Sequence, residues 1–198
     1  MKDIIKNTIE ESVIVKQELL AKCSEDILKI SSIIINAVKN GNKIMLCGNG
    51  GSAADSQHIA AELVVRLRGN INRSAIPAIA LTVDTSILTA GSNDYGFEYV
   101  FARQVEALGQ KGDVLIGLST SGNSENVINA FSKAETKEMK TIALLGKDGG
   151  KINNTVNSQL IVPSNNTPRI QESHIMVGHI LCDILERELF SDLFEKKS

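Results

Sequence analysis

Hydrophobic residues recur at three- and four-residue steps through residues 3–39, where Ile4, Ile5, Ile9, Val13, Ile14, Leu19, Leu20, Cys23, Ile27, Leu28 and Ile30 follow one another. No Gly or Pro interrupts this pattern before Gly41, so it predicts a long N-terminal helix. Beyond Gly41 the pattern changes. Short apolar runs at residues 43–47, 76–82, 114–118, 141–145 and 160–162 predict buried strands. Helical spacing separates them at 52–68, 84–108, 124–137 and 168–190, the second of these broken around 91–96 into one or two helices. Residues 110–113 predict a turn, and Thr167 an N-cap with Pro168 at the first helical position.

Near-continuous apolar strands that alternate with helices predict a parallel sheet covered on both faces. The expected fold is therefore α/β: a doubly wound five-stranded parallel sheet with an extra long N-terminal helix. One domain is expected over 1–198, with 1–40 as a helical region for oligomer packing and 41–192 as the α/β core. The helix carries more apolar surface than so small a sheet can cover, which points to a second subunit. The charged tail 195–198 is expected to fray.

Composition narrows the partners. With 198 residues, 42% hydrophobic and 22% charged, the chain has the balance of an ordinary soluble domain. A net charge of −2 gives no long-range field for nucleic acid or an anionic membrane, so any phosphate must be gripped by local geometry. The absence of Trp argues against base-stacking platforms. Cys23, Cys47 and Cys182 are few, distant and odd in number, which points to reduced thiols in the cytoplasm. No apolar run approaches the roughly 20 residues that span a bilayer.

In such sheets ligands bind beyond the carboxyl ends of the strands. The loops expected there, 48–52, 83–94, 119–124, 146–151 and 163–167, are polar and glycine-rich. In the first, Gly48-Asn49-Gly50-Gly51-Ser52-Ala53 satisfies the dinucleotide pattern GxGxxA. The acidic residue that pattern requires at the end of the next strand is missing, since Asp84 comes too late, and this argues against a nicotinamide cofactor. What remains is a glycine turn opening a helix, either an anion cradle or a plain tight turn. The loop Ser119-Thr120-Ser121-Gly122-Asn123-Ser124 offers four hydroxyls beside a helix start, more than capping needs and enough to wrap a phosphate without a lysine. On the first helix after the glycine turn, His58 and Glu62 stand one turn apart. Such a pair is either a helix-stabilising contact or part of a metal or proton-transfer site.

The segments CGNGGSAADSQHIAAEL, SNDYGFEYVFARQVEAL, LSTSGNSENV and PRIQESHIMVGHILCDILE, in this order and spacing, resemble the phosphoheptose isomerases of the SIS family. The resemblance covers nearly the whole chain. It implies a flavodoxin-like SIS fold and interconversion of sedoheptulose 7-phosphate with D-glycero-D-manno-heptose 7-phosphate. That reaction begins the supply of activated heptose for lipopolysaccharide or capsule. The resemblance also implies a cytoplasmic homotetramer holding one zinc ion per subunit in sites shared between subunits. The implied metal ligands are His58, Glu62, Gln171 and His179. The implied substrate contacts are Asn49, Gly50, Gly51, Glu62, Asn93, Asp94, Ser119, Thr120, Ser121, Ser124 and Gln171. A non-catalytic SIS adaptor that binds the replication initiator protein is the competing reading, and the presence of all four implied ligands argues against it.

Aldose–ketose isomerisation needs a base, an acid and charge stabilisation, and Glu62 and His179 are the residues expected to move the protons. Gln171 and His179 are separated along one helix by about 12 Å of rise and about 80° of rotation. That spacing suggests that one of them serves a site formed largely by a neighbouring subunit. Arg66 either orients Glu62 or faces solvent, and Arg169 is a phosphate or partner candidate unless it is a plain surface charge. Asp55 and Gln57 are possible polar contacts, and Asn93-Asp94 is either a sugar contact or a turn pair. His174 is expected to be structural or exposed, and Cys47 to pack as a small apolar group.

Overall fold

The computed structural model describes residues 1–194, so the tail 195–198 lies outside the described residues. Helix α1 (Lys2–Lys39) leads to β1 (Ile44–Gly48), α2 (Gly51–Val64), β2 (Ala78–Ala80) and α3 (Thr85–Tyr95). A 3-10 turn joins α3 to α4 (Val100–Leu108), and β3 (Val114–Ser119), α5 (Glu125–Thr136), β4 (Lys140–Gly146), β5 (Ser158–Val162) and α6 (Thr167–Leu189) follow. The five strands pair in parallel in the order β2-β1-β3-β4-β5. This is the doubly wound, flavodoxin-like arrangement, and its strand order reverses between β1 and β3.

Alternation along the strands feeds two separate cores. Ile44, Leu46, Val114, Ile116, Ile142 and Leu144 face α1, α2 and α6, whereas Met45, Cys47, Leu115, Ala143 and Leu145 face α4 and α5. Gly117 leaves room for Phe131, whose ring tip lies 2.5 Å from where a Cβ would stand. Cys47 is fully buried and its thiol is pushed up to about 12 by that burial, so it packs as an apolar group.

The predicted boundaries shift at several ends, each for a local reason. Helix α2 stops at Val64 instead of continuing to 68, because the guanidinium of Arg73 takes the carbonyls of Glu62 and Leu63 at 2.7 and 2.9 Å. Strand β2 is three residues long rather than seven: it is the sheet edge, and Pro77 can only accept, from Ile44 N–H at 2.9 Å. Asp84 is the N-cap of α3 and accepts from Ile87 N–H at 2.9 Å. The break in the second helical region falls at Gly96, whose φ of 93° ends α3. Asn166, not Thr167, is the N-cap of α6, which places Pro168 at the second helical position.

The long first helix leaves part of its apolar face exposed. No residue before Val15 is buried, and Ile4, Ile5, Ile9 and Leu20 are each more than half exposed. From Val15 onward α1 packs on α6 and β5. Arg169 helps fix this packing. Its side chain is buried and donates to Thr8 O at 2.8 Å and to Glu172 Oε1 at 2.6 Å, so it is a strut between α1 and α6 and neither a phosphate contact nor a surface charge.

His174 is fully buried, and its Nε2–H donates to Leu145 O at 2.9 Å. Burial pulls its imidazole down to about 4, against a smaller opposing effect of that hydrogen bond. An unfolded chain protonates this histidine near the ordinary value of about 6.5. The stability it contributes is therefore complete above that pH and is lost as pH falls towards 4, an effect of about 3 kcal/mol. Urea unfolding of the wild type and His174→Gln between pH 7 and pH 4 is expected to show a steeper acid loss in the wild type; parallel curves would contradict this.

Candidate active site

The carboxyl ends of β1 and β3 meet at the strand-order reversal, and the two singled-out loops leave from there. After β1, Gly50 takes φ 58° and ψ −119°, a conformation that L side chains rarely adopt, and the chain turns directly into α2. At Gly51 the requirement is space. The Gln171 amide nitrogen, from α6, lies 2.5 Å from the position of a Cβ there. Asn49 is not free, because its carboxamide exchanges two hydrogen bonds of 2.9 Å with that of Asn126 at the start of α5. Asn126 is buried and had no signal in the sequence beyond its place in a helix N-terminal turn.

The loop after β3 is held by its own hydroxyls. Ser119 and Ser124 Oγ lie 3.1 Å apart, and Ser121 Oγ accepts from Asn123 N–H at 3.2 Å. Thr120, Ser121 and Ser124 remain partly exposed, so the loop stays open to a ligand. The segment after β4 closes over its far side: Ile152 N–H donates to Gly122 O, and Lys151 N–H to Asn123 Oδ1.

Beside the glycine turn, three side chains converge. His58 Nε2 is 3.1 Å from Glu62 Oε1 and 3.4 Å from His179 Nε2, with the two imidazoles edge to face at 74°. One ligand atom from each residue fits within 4.8 Å of the others. Tetrahedral ligands on zinc bonds of about 2.0–2.1 Å sit about 3.3 Å apart, so this set fits such an ion. The convergence depends on helix packing. Gly178 on α6 brings Ile59 of α2 so near that a Cβ would meet it at 2.6 Å, and His58 and His179 are the adjoining residues. An isolated glycine inside a helical pattern was the one sequence signal of this approach.

The single chain brings His58, Glu62 and His179 together and places Gln171 over the glycine turn. His179 thus lies within 4.8 Å of His58 and Glu62 of its own chain. The about 12 Å rise along α6 separates Gln171, over the turn at Gly51, from His179 in the cluster with His58. Asn93 and Asp94 are exposed in the last turn of α3, where Asn93 donates to Asp94 at 2.7 Å. No hydrogen bond among the described residues ties them to either loop. Arg66 is exposed and has no hydrogen-bond partner among the described residues. Gln57 donates to Thr82 at 3.2 and 3.1 Å and pins α2 to the end of β2. Asp55, one turn before His58, has a buried Oδ2 without a hydrogen bond; burial raises its carboxyl, opposed by the charges of His58 and His179.

The SIS domain profile matches residues 9–146, well over half of the chain. Phosphoheptose isomerase from Clostridium acetobutylicum is 56% identical over 194 residues, covering 97% of this chain and 98% of that one. The chain belongs to the phosphoheptose isomerase family of SIS-domain proteins. Its relative from Nitratiruptor sp. is 59% identical over 182 residues, 90% of this chain and 96% of that one. The fold agrees as well. The structure of phosphoheptose isomerase GmhA from Neisseria gonorrhoeae superposes with a TM-score of 0.87 at 45% identity, covering 93% of this chain and 98% of that one. That of a phosphoheptose isomerase from Francisella tularensis gives 0.90 at 39% identity, covering 93% and 97%. Membership makes the chain an enzyme, an aldose–ketose isomerase acting on a sugar phosphate.

The contact at Gly51 is open to test. Gly51→Ala is expected to displace the Gln171 carboxamide while changing the melting temperature by only about 4 °C or less. The Michaelis constant for the sugar phosphate should rise about tenfold, the equivalent of one lost hydrogen bond of about 1.4 kcal/mol. An unchanged Michaelis constant would show that Gln171 has no part in binding.

Proposed function

We propose that the chain interconverts sedoheptulose 7-phosphate and D-glycero-D-manno-heptose 7-phosphate, and that it does so in a zinc-containing site. The observation that carries this reading is the convergence of His58, Glu62 and His179 beside two anion-cradling loops at the strand-order reversal. His58, Glu62 and His179 would hold the ion, with Gln171 as the fourth ligand that the family resemblance implies. Zinc, when bound, polarises the carbonyl and hydroxyl oxygens of the sugar.

The chain's own residues then divide the work. Ser119, Thr120, Ser121 and Ser124, with the amides at the start of α5, bind the phosphate. The turn at Asn49, Gly50 and Gly51 takes the sugar end, and Asn93 and Asp94 reach its hydroxyls from α3. From the ketose, a base removes a proton from C1, the electron pair forms the C1–C2 double bond, and the C2 oxygen is protonated to give the enediol. Loss of the O1 proton and protonation of C2 then yield the aldose. Glu62 suits the carbon proton because its Oε1 faces His58 and its Oε2 has no hydrogen bond among the described residues. His179 is the residue proposed for the oxygen proton, because its imidazole stands in the same cluster as Glu62.

The oligomer is part of the same proposal. An apolar groove of about 450 Å³ between α1 and α6 is lined by Leu20, Leu28, Met176, Ile180 and Ile184. Ile180 follows His179 directly. A neighbour covering this groove and the exposed start of α1 would wall the metal cluster, which supports a homotetramer with sites completed between subunits. Three free, buried cysteines and the absence, among the described residues, of any helix able to cross a membrane support a cytoplasmic setting.

Purified protein with zinc should convert sedoheptulose 7-phosphate to the aldose in a coupled assay. Glu62→Gln and His179→Ala should each lower turnover by about 10²- to 10⁴-fold or more with the fold retained by circular dichroism. Wild-type rates in both variants would refute the assigned roles, and a fully active monomer by light scattering would refute shared sites.

A further inference from the structure

Arg73 lies in the stretch between α2 and β2, and Glu186 lies two turns after His179 on α6. Their side chains are both fully buried, with Arg73 Nε 2.7 Å from Glu186 Oε1. The rest of the guanidinium is used on main chain: Nη2 donates to Glu62 O at 2.7 Å, and Nη1 to Leu63 O at 2.9 Å and Ser74 O at 3.0 Å. Glu186 Oε1 also accepts from Leu67 N–H at 2.9 Å. One turn nearer the cluster, Asp183 pairs with Arg68 at 2.8 Å, partly in solvent. His179, Asp183 and Glu186 thus form one stripe on α6, and each meets α2 or the segment that leaves it.

Glu62 is gripped at both ends by this arrangement. Its carboxylate faces His58, and its carbonyl is held by the guanidinium. A helix end normally leaves its last carbonyls to water or to a local cap. Here they are tied, through one rigid fork, to the helix that carries His179. A buried ion pair is weak support for stability as such, because desolvation offsets its attraction. Its geometry, by contrast, is strict, since an arginine fork fixes distance and angle together.

We propose that the Arg73–Glu186 pair is a positioning device for the metal cluster, setting the register of α2 against α6 so that Glu62 and His58 meet His179. The proposal rests on the cluster holding zinc, as argued above. Neither residue touches the ion or the sugar; both act through the backbone of Glu62 and the placement of α6.

The test measures zinc affinity by competition with a chromophoric chelator, at a temperature where each protein is fully folded by circular dichroism. Arg73→Lys keeps the charge and loses the fork, and Glu186→Gln keeps an acceptor and loses the charge. Both are expected to bind zinc about 10- to 100-fold more weakly than the wild type, the range seen when partners that orient metal ligands are altered. Leu160→Ala in β5, remote from the cluster, serves as the control: it should lower the unfolding midpoint and leave zinc affinity unchanged. Wild-type zinc affinity in both folded pair variants would overturn the proposal and leave the metal reading standing. A wild type that binds no zinc would overturn the metal reading and this proposal with it.

Discussion

The close packing of α2 on α6 is the constraint on which the candidate site depends. His58 and His179 are 121 residues apart in the chain, yet their Nε2 atoms are 3.4 Å apart. Side chains as short as imidazole can meet in this way only if the helices that carry them nearly touch. Gly178 permits that approach by admitting Ile59. The sheet makes it possible earlier still. Strands β1 and β3 are neighbours, α2 follows β1, and α6 returns from β5 across the same face to lie on α2. Each level of structure narrows the freedom of the next, from strand order to helix contact to the three converging groups.

Much of this was legible in the sequence. Apolar runs of strand length separated by helical periods gave all five strands and the long first helix, because parallel strands buried on both faces carry an unmistakable signal. The helical periods place His58 and Glu62 on α2 and Gln171 and His179 on α6, where the structure has them. What the sequence did not carry were contacts between distant segments. Arg169 at the start of a helix reads as a surface charge, and only the path of α1 across it makes it a buried strut. Arg73, in a polar stretch, gives no hint that it ends α2. The cluster of His58, Glu62 and His179 is assembled from two helices, and the spacing along α6 alone carries no trace of the second.

The two halves of the molecule also differ in how they are tied down. The α/β core is enclosed by helices on both faces and ties its edge with a buried ion pair, Arg73 to Glu186. The first third of α1, in contrast, has no core of its own to pack against. An isolated helical segment of that length is marginal in water. This one is tied to α6 instead by polar contacts, Arg169 to Thr8 O, Asn166 to Glu11 and Ser12 to Glu172.

The paired carboxamides of Asn49 and Asn126 have a consequence for energetics. They join the turn after β1 to the helix that opens behind the serine loop, by two equal bonds. The turn after β1 and the start of α5 are thus tied together before any ligand arrives. Flexible loops would each lose conformational freedom when they closed on a small sugar phosphate, and that loss would be subtracted from the affinity. Here it is met during folding, once, by two paired amides, of which that of Asn126 is buried. A weak contact to each end of a ligand held there would then count almost in full, which matters for a serine loop that contains no lysine.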